Sequence, residues 1–216
     1  MLTSRERVKM AFNFEEPDRV PVFEQEIAAN IASEILGRRA TGGGGIGGRE
    51  ITEMLHRGER DILVQRLCLD TVELHTKLNL DIIRPPLAPA RDAGPERKLN
   101  EDTYYYEDKE TGNWTIRRYN PQSKMLMTID SSVRREGLPA MERLVDQMEK
   151  ESSKPEECMF ETLDYVVEKV GNERFIAGVG GVAIPLDPPW LIAAITRPDL
   201  VCRYLDAQLE HTKELI

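Results

Sequence analysis

The chain is poor in cysteine, in cations and in long apolar runs, and each shortage excludes something. Its three cysteines, Cys68, Cys158 and Cys202, stand far apart in 216 residues and form no Cys-x-x-Cys pair. A disulfide framework is excluded, and reduced thiols are expected, with Cys158 and Cys202 packed between helices. Basic residues number 29 against 38 acidic ones, a net charge of −9. Non-specific nucleic-acid binding needs a basic surface and is therefore not expected. No run of 18 apolar residues occurs, and the opening Met1-Leu2-Thr3-Ser4-Arg5-Glu6 is polar. Neither a membrane span nor an apolar signal region is read, so a cytoplasmic chain without membrane contact is expected. Histidine is also scarce. His56, His75 and His211 have no partner at metal-ligand spacing, and Cys68 and His75 lie seven apart, two helical turns, too far to share one ion. No metal ligand is assigned to this chain.

Present instead is enough apolar material for a core, 40% of residues, patterned for alternating helices and strands. Thr3-x-x-Glu6 is a capping box that opens a first helix. Val20-Pro21-Val22-Phe23 reads as a short buried strand, with Pro21 tolerated near its start. Ile27, Ile31 and Ile35 share a face of a helix from Glu26 to Leu36, stopped by Gly37. From Arg49 to Leu78 the pattern is helical with a break near Gly58, and Leu63, Leu67, Asp70, Leu74 and Leu78 follow one face. Leu80 to Arg84 is a second strand, ended by Pro85-Pro86, and a proline-rich loop runs from Leu87 to Asn100.

Between Ala40 and Glu50 lie six glycines, and Gly43-x-Gly45-x-x-Gly48 fits the spacing of a dinucleotide turn. That turn needs a strand before it and a helix after it, but a helix precedes this one. No Gly-Lys-Ser/Thr follows, so a Walker loop is excluded too. The reading is a mobile loop over Gly42 to Gly48, near a binding face.

The period changes after residue 100. Thr103–Tyr106, Trp114–Tyr119 and Met125–Ile129 are β-rich runs separated by turn residues, an antiparallel meander over about 101–131. Tyr104, Tyr105, Tyr106 and Trp114 are read as meander packing. Helices are expected at Leu138–Lys150 and Pro155–Val170, a third buried strand at Arg174–Gly181, and helices at Pro189–Ile195 and Pro198–Ile216. Three parallel-type strands with intervening helices give an α/β class. A closed (β/α)8 barrel takes about 250 residues. The expectation is the N-terminal part of a TIM barrel carrying an inserted meander, self-associated or completed by another barrel half.

The segments Leu2–Glu24 ("LTSRERVKMAFNFEEPDRVPVFE"), Gly58–Pro86 ("GERDILVQRLCLDTVELHTKLNLDIIRPP") and Phe175–Gly181 ("FIAGVGG") resemble the uroporphyrinogen decarboxylase superfamily. The resemblance is to the N-terminal half of a typical member and is strongest to the methyltransferase-like branch. It implies a TIM barrel with ligands at the C-terminal ends of the strands. It also implies methyl transfer between a small methylated substrate and a corrinoid protein, including O-demethylation, with zinc held by residues outside this chain. Decarboxylation in tetrapyrrole biosynthesis is the alternative. True decarboxylases carry an arginine-containing RQAGRY motif after the first strand, where this chain has Glu24-Gln25-Glu26-Ile27-Ala28-Ala29. Two carboxylates suit a polyanionic porphyrinogen poorly. A non-catalytic partial barrel that binds a partner through its open sheet edge is the other alternative.

On that reading Glu24 and Glu26, at the end of the first strand, are the candidate catalytic residues. A carboxylate there can orient a substrate hydroxyl, take a proton or join a metal shell, although Glu26 equally fits a helix-starting acid. Arg84, at the end of the second strand, is a candidate for binding a carboxylate or phosphate, or a rim ion pair. Gly180 and Gly181 end the third strand and are candidates for clearing space beside a cofactor, or simple turn residues.

Overall fold

A computed structural model describes residues 2–41, 48–123, 125–150 and 155–214. The chain divides into two compact units, residues 1–93 with 156–179, and residues 94–155 with 180–216. The mixed α/β class holds, and among the described residues no closed barrel forms.

The first unit opens with α1 (Ser4–Phe12). Its capping box is complete, with Thr3 accepting from the Glu6 N–H and the Glu6 carboxylate accepting from the Thr3 N–H. Two bonds close the helix, Phe14 N–H to Ala11 O and Glu15 N–H to Met10 O. They place Phe14 at φ 60°, in a position that glycine usually fills. Helix α2 is Ala29–Leu36, ended by Gly37 in the left-handed conformation at φ 68°. It starts three residues later than expected, so Glu26 lies outside it. Helices α3 (Arg49–His56) and α4 (Arg60–Lys77) are separated at Gly58, φ 72°. Asn79, at φ 50°, then turns the chain tightly into β1 (Ile82–Ile83).

The expected parallel strands are present but short, and the first, expected to be buried, leaves Val20, Val22 and Phe23 exposed. The stretch Val20–Phe23 contributes one parallel bridge, Phe23 to Ile82. On the far side of β1, β6 (Phe175–Ile176) pairs in parallel, Ile82 with Phe175 and Ile83 with Ile176. The order Phe23–β1–β6 therefore follows the chain. Ile83 is fully buried, and α4 packs against α7 (Glu161–Val170), the helix that leads into β6.

The second unit is built on a four-stranded antiparallel meander, β2 (Arg97–Asn100), β3 (Thr103–Glu107), β4 (Trp114–Asn120) and β5 (Met125–Ser131), in that order. Three strands were expected. The fourth, β2, lies within the segment read as a proline-rich loop, and every residue of it is exposed. Tyr104 is fully buried and Tyr105 stacks on Trp114 at 6.2 Å, as meander packing requires. A short helix α5 (Ser132–Glu136), capped by Ser131, follows, then α6 (Leu138–Lys150), α8 (Pro188–Thr196) and α9 (Pro198–Glu214). Their core joins Met141, Val145, Trp190, Ala193, Leu200 and Val201.

Candidate functional site

Parallel pairing decides what the first unit brings together. Because Phe23, Ile82 and Phe175 are in register, the residues that follow Phe23 and Ile83 leave the sheet at one end, and those before them at the other. Glu24 follows Phe23 and Arg84 follows Ile83, so these two candidates stand at the C-terminal end of neighbouring strands. Glu24 and Glu26 are exposed and Arg84 is half-buried. Among the described residues none of the three side chains makes a hydrogen bond or ion pair. The rim ion pair considered for Arg84 does not form there, and Glu26 does not start α2.

The N-terminal end of the same strands is saturated. Asp81, immediately before β1, is completely buried. Its Oδ1 accepts from Ser4 Oγ (2.7 Å), Arg7 Nη1 (2.7 Å) and Arg19 Nη2 (2.9 Å). Its Oδ2 accepts from Arg19 Nη1 (2.6 Å) and the Val22 N–H (2.8 Å). Burial pushes the Asp81 carboxyl up, but the donors Ser4, Arg19, Val22 and Arg7 outweigh it and hold its pKa at about 2. Arg7, itself buried, also grips Asp18 through Nε (2.6 Å) and Nη2 (3.0 Å). Arg174 donates to Ser4 Oγ and to the Leu80 carbonyl. One carboxylate thus ties α1, the first strand segment and β1 together, and Arg174, just before β6, joins through Ser4 and the Leu80 carbonyl. Buried charges need such complete pairing.

A second buried carboxylate was legible only as a misfit, a charge on the apolar face of α4. Asp70 accepts from Arg38 Nη1 and from both the N–H and the hydroxyl of Thr41. Arg38 also reaches Glu73. Farther along, Glu50 of α3 accepts from Arg39 and Arg66. Thr41 and Gly48 are the described residues that border the glycine tract, and the loop reading for Gly42–Gly47 lies outside the described residues.

The remaining candidates separate. Gly180 and Gly181 belong to the second unit, where an added Cβ on Gly180 would meet Thr212 Cγ2 at 3.0 Å. The Thr212 hydroxyl donates to the Gly181 carbonyl at 3.1 Å. The close approach at Gly180 is thus to a threonine of α9. His75 is buried in α4, and its Nδ1–H donates to the Thr71 carbonyl at 2.7 Å. Burial lowers its pKa, the bond to Thr71 opposes that, and the charge of Arg174 adds to the lowering. Burial raises the pKa of the Cys68 thiol, which suits an inert packing group. Cys202 is exposed on α9, contrary to the packing role expected of it.

Among the described residues no three His, Cys, Asp or Glu side chains are grouped to hold a metal ion, and no helix is long and apolar enough to cross a membrane. Comparison with protein-family models, with curated proteins and with solved structures finds no match to this chain.

Proposed function

We propose that the chain contributes the first strands of a barrel-type methyltransferase component, resembling the uroporphyrinogen decarboxylase superfamily. It would move a methyl group between a small methylated substrate and a corrinoid carried by a partner protein. One observation carries this reading. Three parallel segments lie in chain order, and the charged residues at their C-terminal end, Glu24 and Arg84, are unpaired among the described residues. Sequential order fits a singly wound barrel wall, and it is shared by either half of a doubly wound sheet, which reverses direction only at its ligand crevice. In barrel enzymes the strand C-termini hold the chemistry and the opposite end holds stability.

In this reading Glu24 accepts a hydrogen bond from the substrate, or its proton, and Glu26 adds negative potential beside it. Arg84 binds an anionic group of the substrate or of the corrinoid side chains. The described residues offer no ligand set that fits zinc. The test is methyl transfer to cob(I)alamin from a panel of methoxylated aromatics, methanol and methylamines, followed by the cobalamin absorbance change. The expected result is transfer from at least one donor that is lost in Glu24→Gln. Absence of transfer from every donor, together with decarboxylation of uroporphyrinogen, would replace this reading with the decarboxylase.

A further inference from the structure

Residues paired across a sheet share a face, so the register of the meander sorts its side chains into rows. Thr103 of β3, Arg118 of β4 and Met127 of β5 form one row. Arg97, Tyr105, Ile116 and Asp130 form the next, and Glu107 and Trp114 a third. On this face Arg118 and Met127 are exposed, and Tyr105, Ile116 and Trp114 are half-buried. The Tyr105 and Trp114 rings stack from row to row, and the Arg97 guanidinium lies 4.5 Å from the Tyr105 ring centre. The acids of the face are already engaged. Asp130 accepts from Arg135 at 3.0, 3.0 and 2.7 Å, and Glu107 accepts from the Tyr105 hydroxyl at 3.1 Å. Arg118 is left with no hydrogen bond or ion pair among the described residues. In its own row Thr103 is only 4% exposed, and its hydroxyl also has no partner among the described residues. Buried hydroxyls without a partner are costly and rare in folded chains.

We propose that Arg118 and Thr103 bind an oxyanion carried on a flat ring, the carboxylate of an aryl acid or the phosphate of a nucleotide. A cation without a counter-ion and a donor without an acceptor, side by side, are both answered by one anionic group. The guanidinium presents parallel N–H donors that match two oxygens of a carboxylate or phosphate, and the hydroxyl donates a further bond. The ring falls on the next row. There Ile116 and the Tyr105–Trp114 pair offer a half-exposed apolar and aromatic surface, and aromatic side chains hold flat ligands by stacking. Arg97, beyond Tyr105, adds a second positive charge to the same face. A nucleic-acid strand is a poorer occupant, because it needs a run of free cations and the chain carries a net charge of −9. One free guanidinium and one free hydroxyl suit one small anion.

Calorimetric titration of the full chain with 2-naphthoate and with adenosine monophosphate tests this, with acetate and inorganic phosphate as ringless controls. At least one ring-bearing anion is expected to saturate, more tightly than its control. Binding of the naphthoate alone assigns the carboxylate, and binding of the nucleotide alone assigns the phosphate. Arg118→Gln is expected to weaken that binding about tenfold to a hundredfold, the loss of charge-assisted hydrogen bonds. Its unfolding midpoint should not move, because the guanidinium touches no described partner. Thr103→Val is expected to bind about threefold to tenfold more weakly. It should unfold no earlier than the wild type, since a methyl group replaces a hydroxyl that bonds nothing in the fold. No saturable binding of either ring ligand overturns the proposal, as does affinity unchanged in Arg118→Gln or controls that bind equally well. A Thr103→Val chain that binds like the wild type, or unfolds earlier, overturns the part given to the hydroxyl. None of these readouts depends on catalysis, so the site stands or falls apart from the proposed methyl transfer.

Discussion

The two ends of one short parallel sheet are chemically opposite. At the N-terminal end Asp81 accepts five hydrogen bonds from four residues, and Arg7, Arg19 and Arg174 all converge there. At the C-terminal end Glu24, Glu26 and Arg84 hold no partner among the described residues, although the chain pairs most of its other arginines. Two ends built from the same residue types differ in whether their charges are satisfied within the chain. A satisfied cluster fixes geometry. An unsatisfied one is available to a ligand, and it is tolerated because it stands in water.

The sharpest way to break this comparison is to unpair the saturated end. Asp81→Asn removes the charge that balances buried Arg7 and half-buried Arg19, and it turns one acceptor into a donor aimed at donors. Removing one member of a buried ion pair costs about 3–5 kcal/mol. Such a domain holds only about 5–15 kcal/mol in all. The first unit is therefore expected to unfold at much lower denaturant concentration, read by hydrogen exchange of α1 and α4. Wild-type stability in Asp81→Asn would mean that the network contributes nothing.

Acid acts on the same end more gently. The folded pKa of Asp81, about 2, lies below the ordinary aspartate value of about 3.9, so the unfolded chain binds the proton first. Its contribution is complete above about pH 4 and is lost as pH falls toward 2, on the order of 2 kcal/mol. His75 acts in a separate window. Its pKa is lowered in the fold, so the unfolded state again protonates first, and stability declines as pH drops below about 6.5. Denaturant titrations across pH are expected to show two declines. His75→Gln should flatten the upper one and leave the lower. A single featureless slope in both proteins would contradict the assignment.

What the sequence disclosed follows the range of the interactions involved. The capping box Thr3–Glu6, the stop at Gly37, the break at Gly58 and the meander turns are local, and all four are found where their residue types demand them. The strand β2 escaped because Arg97-Lys98-Leu99-Asn100 is exposed throughout and has no buried alternation to betray it. The parallel strands were read too long, since a run of apolar residues does not say how many of them find a pairing partner. Asp81 was passed over altogether. Its partners lie 59 to 77 residues away in sequence, a separation that carries no periodic signal. Asp70 left a trace, a charge among leucines on one helix face, but not the identity of Arg38 and Thr41 as the groups that answer it. At the open end, Glu24 and Arg84 were found from strand position alone. That they are unpaired among the described residues could be learned only from the structure.

The smallest expected effect tests the open end most directly. Glu24→Gln and Arg84→Gln each remove a charge that touches no described partner. Surface substitutions away from packing and caps change stability by no more than about 0.5 kcal/mol. Both variants are therefore expected to unfold with the wild type, while the proposed methyl transfer falls. Arg84→Gln should act mainly on the KM of an anionic substrate, and Glu24→Gln mainly on kcat, because a binding cation and a proton-accepting carboxylate enter different steps. The double variant adds a control, since two groups that act on one bound substrate give losses that do not add. A large stability loss in Glu24→Gln would show that this carboxylate is structural, as Asp81 is, and the contrast between the two ends would be gone.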